Sequence, residues 1–419
     1  MNTIAIIILA AVIFDFALNG LADYLNLTML RNDLPESFRG VYDSDRYRKS
    51  QQYLKVNTRF GWFTATFNVT VILIFWFAKG FPLLDEWVRS FNYGPVITGL
   101  IYMAVLVLLK GLLSLPFSIY ATFVIEERFG FNQTSWATFM ADLVKGLLLA
   151  VLLGAPLLTG ILAFFVYAGT SAWWYCWIAV TIYMLGVQFI APTWIMPLFN
   201  KFKPLEDGEL KAAILSYAGS INFPIENVFV MDGSRRSSKS NAFFSGFGKH
   251  RRIVLFDTLI KQHTTAELLA VLAHEMGHYK KKHIFKSIVI SILSTGLMFG
   301  ILSLFINNRE LFAAFKMQET SIYASLLFFG FLYSPIQMVL SIFGNMLSRR
   351  HEYDADEYAV KTYKASDSMI AALKKLSVEN LSNLTPHPLK VFLSYSHPPV
   401  LERIQAIRRI SSKPSLKQL

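Results

Sequence analysis

The sequence predicts a mainly α, polytopic membrane protein of about seven crossing helices, and three observations carry that reading. Of its 419 residues 54% are hydrophobic and 16% charged, with a mean hydropathy of +0.42. That is too apolar for an ordinary soluble domain. Seven apolar runs, near 3–22, 60–78, 94–115, 146–168, 173–198, 284–306 and 322–347, approach the roughly 20 helical residues that cross a bilayer. Positive charge also alternates between the loops. One set of connections holds 34 Lys and Arg and the other set 4, which predicts the N-terminus outside and the C-terminus in the cytoplasm.

The net charge of +12 is therefore read as the basic excess of cytoplasmic loops, with no nucleic-acid partner. The first run lacks a positive leader and a small-residue cleavage site, and is expected to stay as a helix. The one cysteine, Cys176, lies inside a span and excludes a disulfide framework or a multi-Cys zinc site.

The spans divide the chain into residues 1–200 with five crossings, a polar segment 201–283, a membrane hairpin 284–347 and a polar tail 348–419. Within 201–283, a Gly-punctuated stretch leads into Arg252-Ile253-Val254-Leu255-Phe256, read as a β-strand and a candidate sheet edge. Thr264 and Glu267 then form a capping box that opens a helix. No Pro or Gly stop separates this helix from the span at 284, so the sequence predicts a continuous run into the membrane.

That helix contains His274-Glu275-Met276-Gly277-His278. Histidines at i and i+4 share a helix face and can grip one zinc ion, with the intervening glutamate beside it as general base. A catalytic zinc takes three protein ligands. Directly after the last span, Glu352 and Asp356 also lie at i and i+4. Glu352 is the expected third ligand and Asp356 the carboxylate that receives a ligand's other ring N–H. Glu275 is the expected base that takes the proton of the attacking water and returns it to the leaving amine.

His351 competes as a ligand but points about 100° away from Glu352 on a helix. It is assigned to an interface, and His250, His263, His283 and His387 to surface or interface. Lys280-Lys281-Lys282 is read as a cytoplasmic anchor contacting anionic lipid headgroups.

These motifs, with Ser396-His397-Pro398-Pro399-Val400-Leu401-Glu402-Arg403, Glu126-Glu127-Arg128-Phe129-Gly130-Phe131-Asn132, Pro197-Leu198-Phe199-Asn200-Lys201-Phe202 and Asn241-Ala242-Phe243, resemble the type I CAAX prenyl endopeptidases. These are membrane zinc proteases of the a-factor-converting and prelamin-processing type. The resemblance covers most of the chain. It implies one Zn²⁺ per chain on His274, His278 and Glu352, Glu275 as base and Asp356 as the supporting acid.

It further implies that Asn241, Ala242 and Phe243 form the edge that pairs with an extended substrate. His397 becomes an oxyanion stabiliser, and Arg403 a supporting or carboxylate-binding group. The implied fold has seven helices around a water-filled chamber, capped by a zincin-like α+β protease domain. Asp15, Asn19, Asn68, Lys110, Gln188, Gln337 and Asn345 would face the chamber or one another.

The motifs specify hydrolysis of extended or C-terminal peptides at the cytoplasmic membrane face and do not read a prenyl group. A transporter or scaffold with a closed structural zinc site is the alternative, and a glutamate beside the first histidine argues against it. The terminus lacks dilysine spacing, which favours a bacterial inner membrane over the endoplasmic reticulum.

Overall fold

The structure is a computed structural model that describes residues 1–412 apart from 32, 224, 226 and 246–251. His250 lies outside the described residues. Seven helices are long and apolar enough to cross a membrane: Thr3–Thr28, Ser44–Phe77, Pro95–Glu126, Trp136–Tyr167, Gly169–Phe199, His283–Phe305 and Ile322–Tyr363. All seven predicted runs fall on them.

The helices outrun the apolar runs, and mostly on one side. The second begins at Ser44 rather than near 60, the third runs on to Glu126, the fourth starts at Trp136, and the seventh continues to Tyr363. Each extension lies on the side predicted to be cytoplasmic. A hydropathy window sees only the part that needs lipid, whereas helical hydrogen bonding continues wherever other protein packs against it.

At most 17% of the residues in each apolar window are buried, so the spans do not pack as a solid bundle. A cavity of about 1010 Å³ opens between the first, second and seventh helices, and Asp15, Asn19, Asn68 and Gln337 line it. Gln188 lines a second cavity nearer the histidines. Asn345 instead donates from Nδ2 to the Leu393 carbonyl at 3.0 Å, and Lys110 is exposed. Six of these seven polar groups thus face an interior space or a protein partner, and Lys110 does not. An aromatic core closes the end remote from the histidines, where Phe315 stacks on Phe328 at 3.9 Å and Trp76 donates to the Ala314 carbonyl at 2.8 Å.

The polar segment folds as a four-stranded sheet of order β1-β2-β4-β3, with β1 Phe202–Pro204, β2 Asn227–Met231, β3 Ala242–Ser245 and β4 Arg252–Phe256. β4 runs parallel to β2 and antiparallel to β3. The strand expected at 252–256 is present but is not an edge. Ile253, Val254 and Leu255 are all buried, and a run apolar on both faces belongs inside a sheet. The edge is β3, which begins one residue after Asn241.

The helix Thr265–Lys280 packs against the sheet and, more extensively, against the seventh membrane helix. Its capping box forms as predicted: the Glu267 amide donates to Thr264 Oγ1 at 3.3 Å and the Thr264 amide to Glu267 Oε2 at 2.8 Å. It does not continue into the membrane. Lys281 caps it on the Gly277 carbonyl, Lys282 takes the left-handed φ of 58°, and the sixth membrane helix restarts at His283. Sequence rules expect Gly or Asn at such a stop, so a lysine hid it.

Candidate metal centre

Two helices bring the predicted ligands together. The histidine helix crosses the extension of the seventh helix beyond its apolar run at Gly277, where an added Cβ would meet the Ala355 Cα and carbonyl oxygen at 3.1 Å. A side chain there would have to push the Ala355 backbone away by a few tenths of an ångström, so glycine suits this approach. The crossing sets His274 and His278 opposite Glu352, and no residue in the sequence patterns flagged Gly277 for that role.

His274 Nε2 lies 3.1 Å from His278 Nε2 and 3.4 Å from Glu352 Oε2, and His278 Nε2 lies 3.2 Å from Glu352 Oε1. The three residues offer ligand atoms within 4.8 Å of one another. A tetrahedral ion bound at about 2.0–2.2 Å separates its donors by about 3.3–3.6 Å, so the triangle is close to metal size.

Two further observations fit a cation here. Among the described residues Glu352 Oε2 is buried without a hydrogen-bond partner, its charge met only by Arg403 Nη1 at 3.3 Å, and ligation would satisfy it. The surroundings also hold three carboxylates, Glu275, Glu352 and Asp356, against the single guanidinium of Arg403. Burial acts to lower the His274 pKa, but Asp356 and Glu352 outweigh it and push it up to about 9. The carboxylates therefore demand positive charge at this point, which a proton or a metal ion can supply.

Asp356, fully buried, receives His274 Nδ1 at 2.8 Å. It also accepts two bonds from Arg403, from Nε at 2.8 Å and Nη2 at 2.6 Å. Arg403 Nη1 stands 3.3 Å from Glu352 Oε2. The Arg403 side chain is thus buried, its Nε and Nη2 bonded to Asp356, at the edge of the cleft.

Glu275 is half-buried in the wall between a cleft of about 440 Å³ and the cavity lined by Gln188. Burial pushes its carboxyl pKa up, as a proton acceptor near neutrality requires. Asn241 and Ala242 line the cleft opposite, and Phe243 lines the neighbouring cavity. His397 is exposed at the lip, with Nε2 3.4 Å from Glu352 Oε1 and Nδ1 3.0 Å from Ser396 Oγ.

His351, assigned to an interface, lies in one, and His263 and His283, assigned to surface or interface, prove to be interfacial. His263 is buried with Nδ1 3.2 Å from the Leu259 carbonyl, closing the short helix Asp257–Gln262. His283 and His351 are buried and stacked on each other at 3.9 Å. Histidine's flat apolar faces and polar edges suit such junctions, and nothing local in the sequence distinguishes them from exposed ones. Of the three lysines, Lys280 donates to the Ile221 and Asn222 carbonyls at 2.9 and 3.2 Å, while Lys281 and Lys282 are exposed.

The strand edge is held from the membrane side. Arg236 binds Asp142 through Nε at 2.7 Å and Nη2 at 2.9 Å. Lys239 Nζ donates to Glu126 Oε2 at 2.7 Å and to the Tyr53 hydroxyl at 2.8 Å, and lies 4.3 Å from the Phe131 ring centre. The Asn380 side chain brackets the Ser240 backbone, accepting from its amide at 3.2 Å and donating to its carbonyl at 3.3 Å. The Glu126–Asn132 motif thereby has a structural role that the sequence alone did not reveal.

A hollow seven-helix membrane fold carrying a His-Glu-x-x-His helix with a glutamate, Glu352, beside both histidines defines a membrane metalloendopeptidase. Residues 23–201 match the family model for the CAAX prenyl protease N-terminal region with five membrane helices, and residues 204–411 match peptidase family M48. The chain belongs to the CAAX prenyl protease 1 family. It is 35% identical to the Saccharomyces cerevisiae CAAX prenyl protease 1, over 91% of this chain and 89% of that one. It is 37% identical to the Arabidopsis thaliana homologue, over 97% of both. The crystal structure of S. mikatae Ste24p superposes with a TM-score of 0.91 at 33% identity, covering 97% of this chain and 99% of that one.

Proposed function

We propose that this metalloendopeptidase uses one zinc ion, held by His274, His278 and Glu352, to cut extended peptides at the cytoplasmic face of its membrane. CAAX-type C-termini, with or without a prenyl group, are the substrates that the names of its relatives favour. The observation that carries the reading is the convergence of three ligand atoms beside Glu275, in a cleft also lined by Asn241 and Ala242 at the start of the edge strand β3.

Bound there, zinc polarises the scissile carbonyl and makes water acidic near neutral pH. The rest falls to the chain's own side chains. β3, from Asn241 to Phe243, offers backbone groups to an extended substrate, which fixes the scissile bond against the cleft wall. Glu275 takes the proton of the attacking water and delivers it to the leaving amine nitrogen. His397, free to turn at the lip, donates to the carbonyl oxygen as charge develops on it. Arg403 and Asp356 hold His274 in the tautomer that leaves Nε2 unprotonated.

Lys and Arg crowd the loops on the protease side, which supports a cytoplasmic site and an external N-terminus. The named relatives come from eukaryotes, which supports the endoplasmic reticulum rather than the bacterial inner membrane. The test is cleavage of a fluorogenic CAAX-type peptide, with and without a farnesyl group, by wild type and Glu275→Gln. The variant should keep one zinc and lose cleavage; full activity would remove Glu275 as base. Equal rates on the farnesylated and bare peptides would remove any role for the lipid in recognition.

A further inference from the structure

The two histidine ligands receive unequal support. His274 turns Nδ1 to the Asp356 carboxylate at 2.8 Å, the usual way a protein fixes a ligand's tautomer. Among the described residues no carboxylate meets His278 Nδ1. That nitrogen faces His283 Nδ1 at 3.0 Å.

Two ring nitrogens this close share one proton. Because His278 Nε2 points at His274 and Glu352, where a lone pair is needed, its proton belongs on Nδ1 and His283 Nδ1 must accept it. His283 then carries its own proton on Nε2, which is buried without a hydrogen-bond partner, with Asp354 Oδ2 3.8 Å away. The His283 ring is held in this attitude. It is 3% exposed, lies nearly parallel to His351 at 11°, and opens the sixth membrane helix directly after the left-handed Lys282. Since it meets the Nδ1 edge of His278, opposite the Nε2 edge that faces the metal position, it is not itself a ligand.

We propose that His283 is a positioning residue for the metal: its Nδ1 accepts the His278 Nδ1–H and sets that ligand's tautomer and ring plane, as Asp356 does for His274. The inference rests on the zinc reading above. It gives the turn at Lys281-Lys282 a purpose, because a continuous helix would carry residue 283 past His278.

The experiment titrates zinc into metal-stripped full-length protein in detergent, against a chromophoric chelator, for wild type, His283→Asn, His283→Phe and His283→Gln. Asn offers Oδ1 where His offers Nδ1. Phe keeps a ring on His351 without an acceptor, and Gln reaches toward the Nε2 position instead. His283→Phe and His283→Gln should bind zinc about 10- to 100-fold more weakly, and His283→Asn within about threefold of wild type, as for other residues that orient a metal ligand.

The visible spectrum of the cobalt-loaded protein should move with Phe and Gln and not with Asn. Wild-type affinity in His283→Phe, or equal weakening in His283→Asn, overturns the proposal. Should Phe and Gln fail to fold, a folded His283→Asn decides alone: near-native affinity supports the role and weakened affinity overturns it. A wild type that binds no zinc would break the metal assignment itself, a separate outcome.

Discussion

The two walls of the cleft are built on different physics. The metal wall is a buried crossing of two helices, where Gly277 lets the backbones touch and where Asp356, Arg403 and Glu352 hold one another with almost no solvent. The wall proposed to meet the substrate begins the edge strand β3, and its place is set in part from a distance by Arg236, Lys239 and Asn380. Ligands need fixed geometry within a fraction of an ångström, whereas a substrate edge must keep its backbone groups free. Damage to the first wall should therefore be read in metal content and turnover, and damage to the second in KM.

Expected effects, from the largest down, sharpen that division. Glu352→Ala should leave the purified protein without stoichiometric zinc and without activity; unchanged metal content would reassign the third ligand. Glu275→Gln should lower kcat by about 10²- to 10⁴-fold, the usual worth of a general base, with full metal content. Gly277→Val forces a side chain into the Ala355 backbone and should cost about 1–3 kcal/mol of stability by overpacking. Zinc affinity should fall with it, and a variant with native affinity would show that the crossing can widen without moving the ligands.

On the other wall, Lys239→Met should raise KM by about tenfold, the size of one lost charged hydrogen bond. Zinc content should stay intact and Lys239→Arg should recover part of the loss. A fall in kcat alone would contradict the division. Thr264→Ala removes the capping box and should lower stability by about 1 kcal/mol, seen in the midpoint of thermal inactivation, with turnover per folded molecule unchanged.

The sequence was most legible where one residue type can do one job. The seven apolar runs and the His-Glu-x-x-His spacing needed no partner to be recognised, and Glu352 stood out because it follows a span directly. Reading failed where meaning comes from a distant neighbour. Gly277 is an ordinary glycine until Ala355 faces it, and the Lys281-Lys282 stop carries no stop residue. For His263 and His283 the sequence leaves surface and interface both open, because their burial is created by packing between elements. The strand at 252–256 was legible as a strand, but its place inside the sheet depended on β3, whose short sequence gives a weak signal.

One feature reaches beyond the cleft. The seventh helix runs unbroken from Ile322 to Tyr363, carrying both the bilayer crossing and Glu352. It works as a ruler: the height of the cut above the lipid is counted in helical residues at about 1.5 Å each. The ruler cannot be lengthened by one notch, because each inserted residue also turns Glu352 by about 100° away from the histidines. The reach from membrane to scissile bond is thus locked to the coordination geometry, and a protein with a different reach would need a different joint.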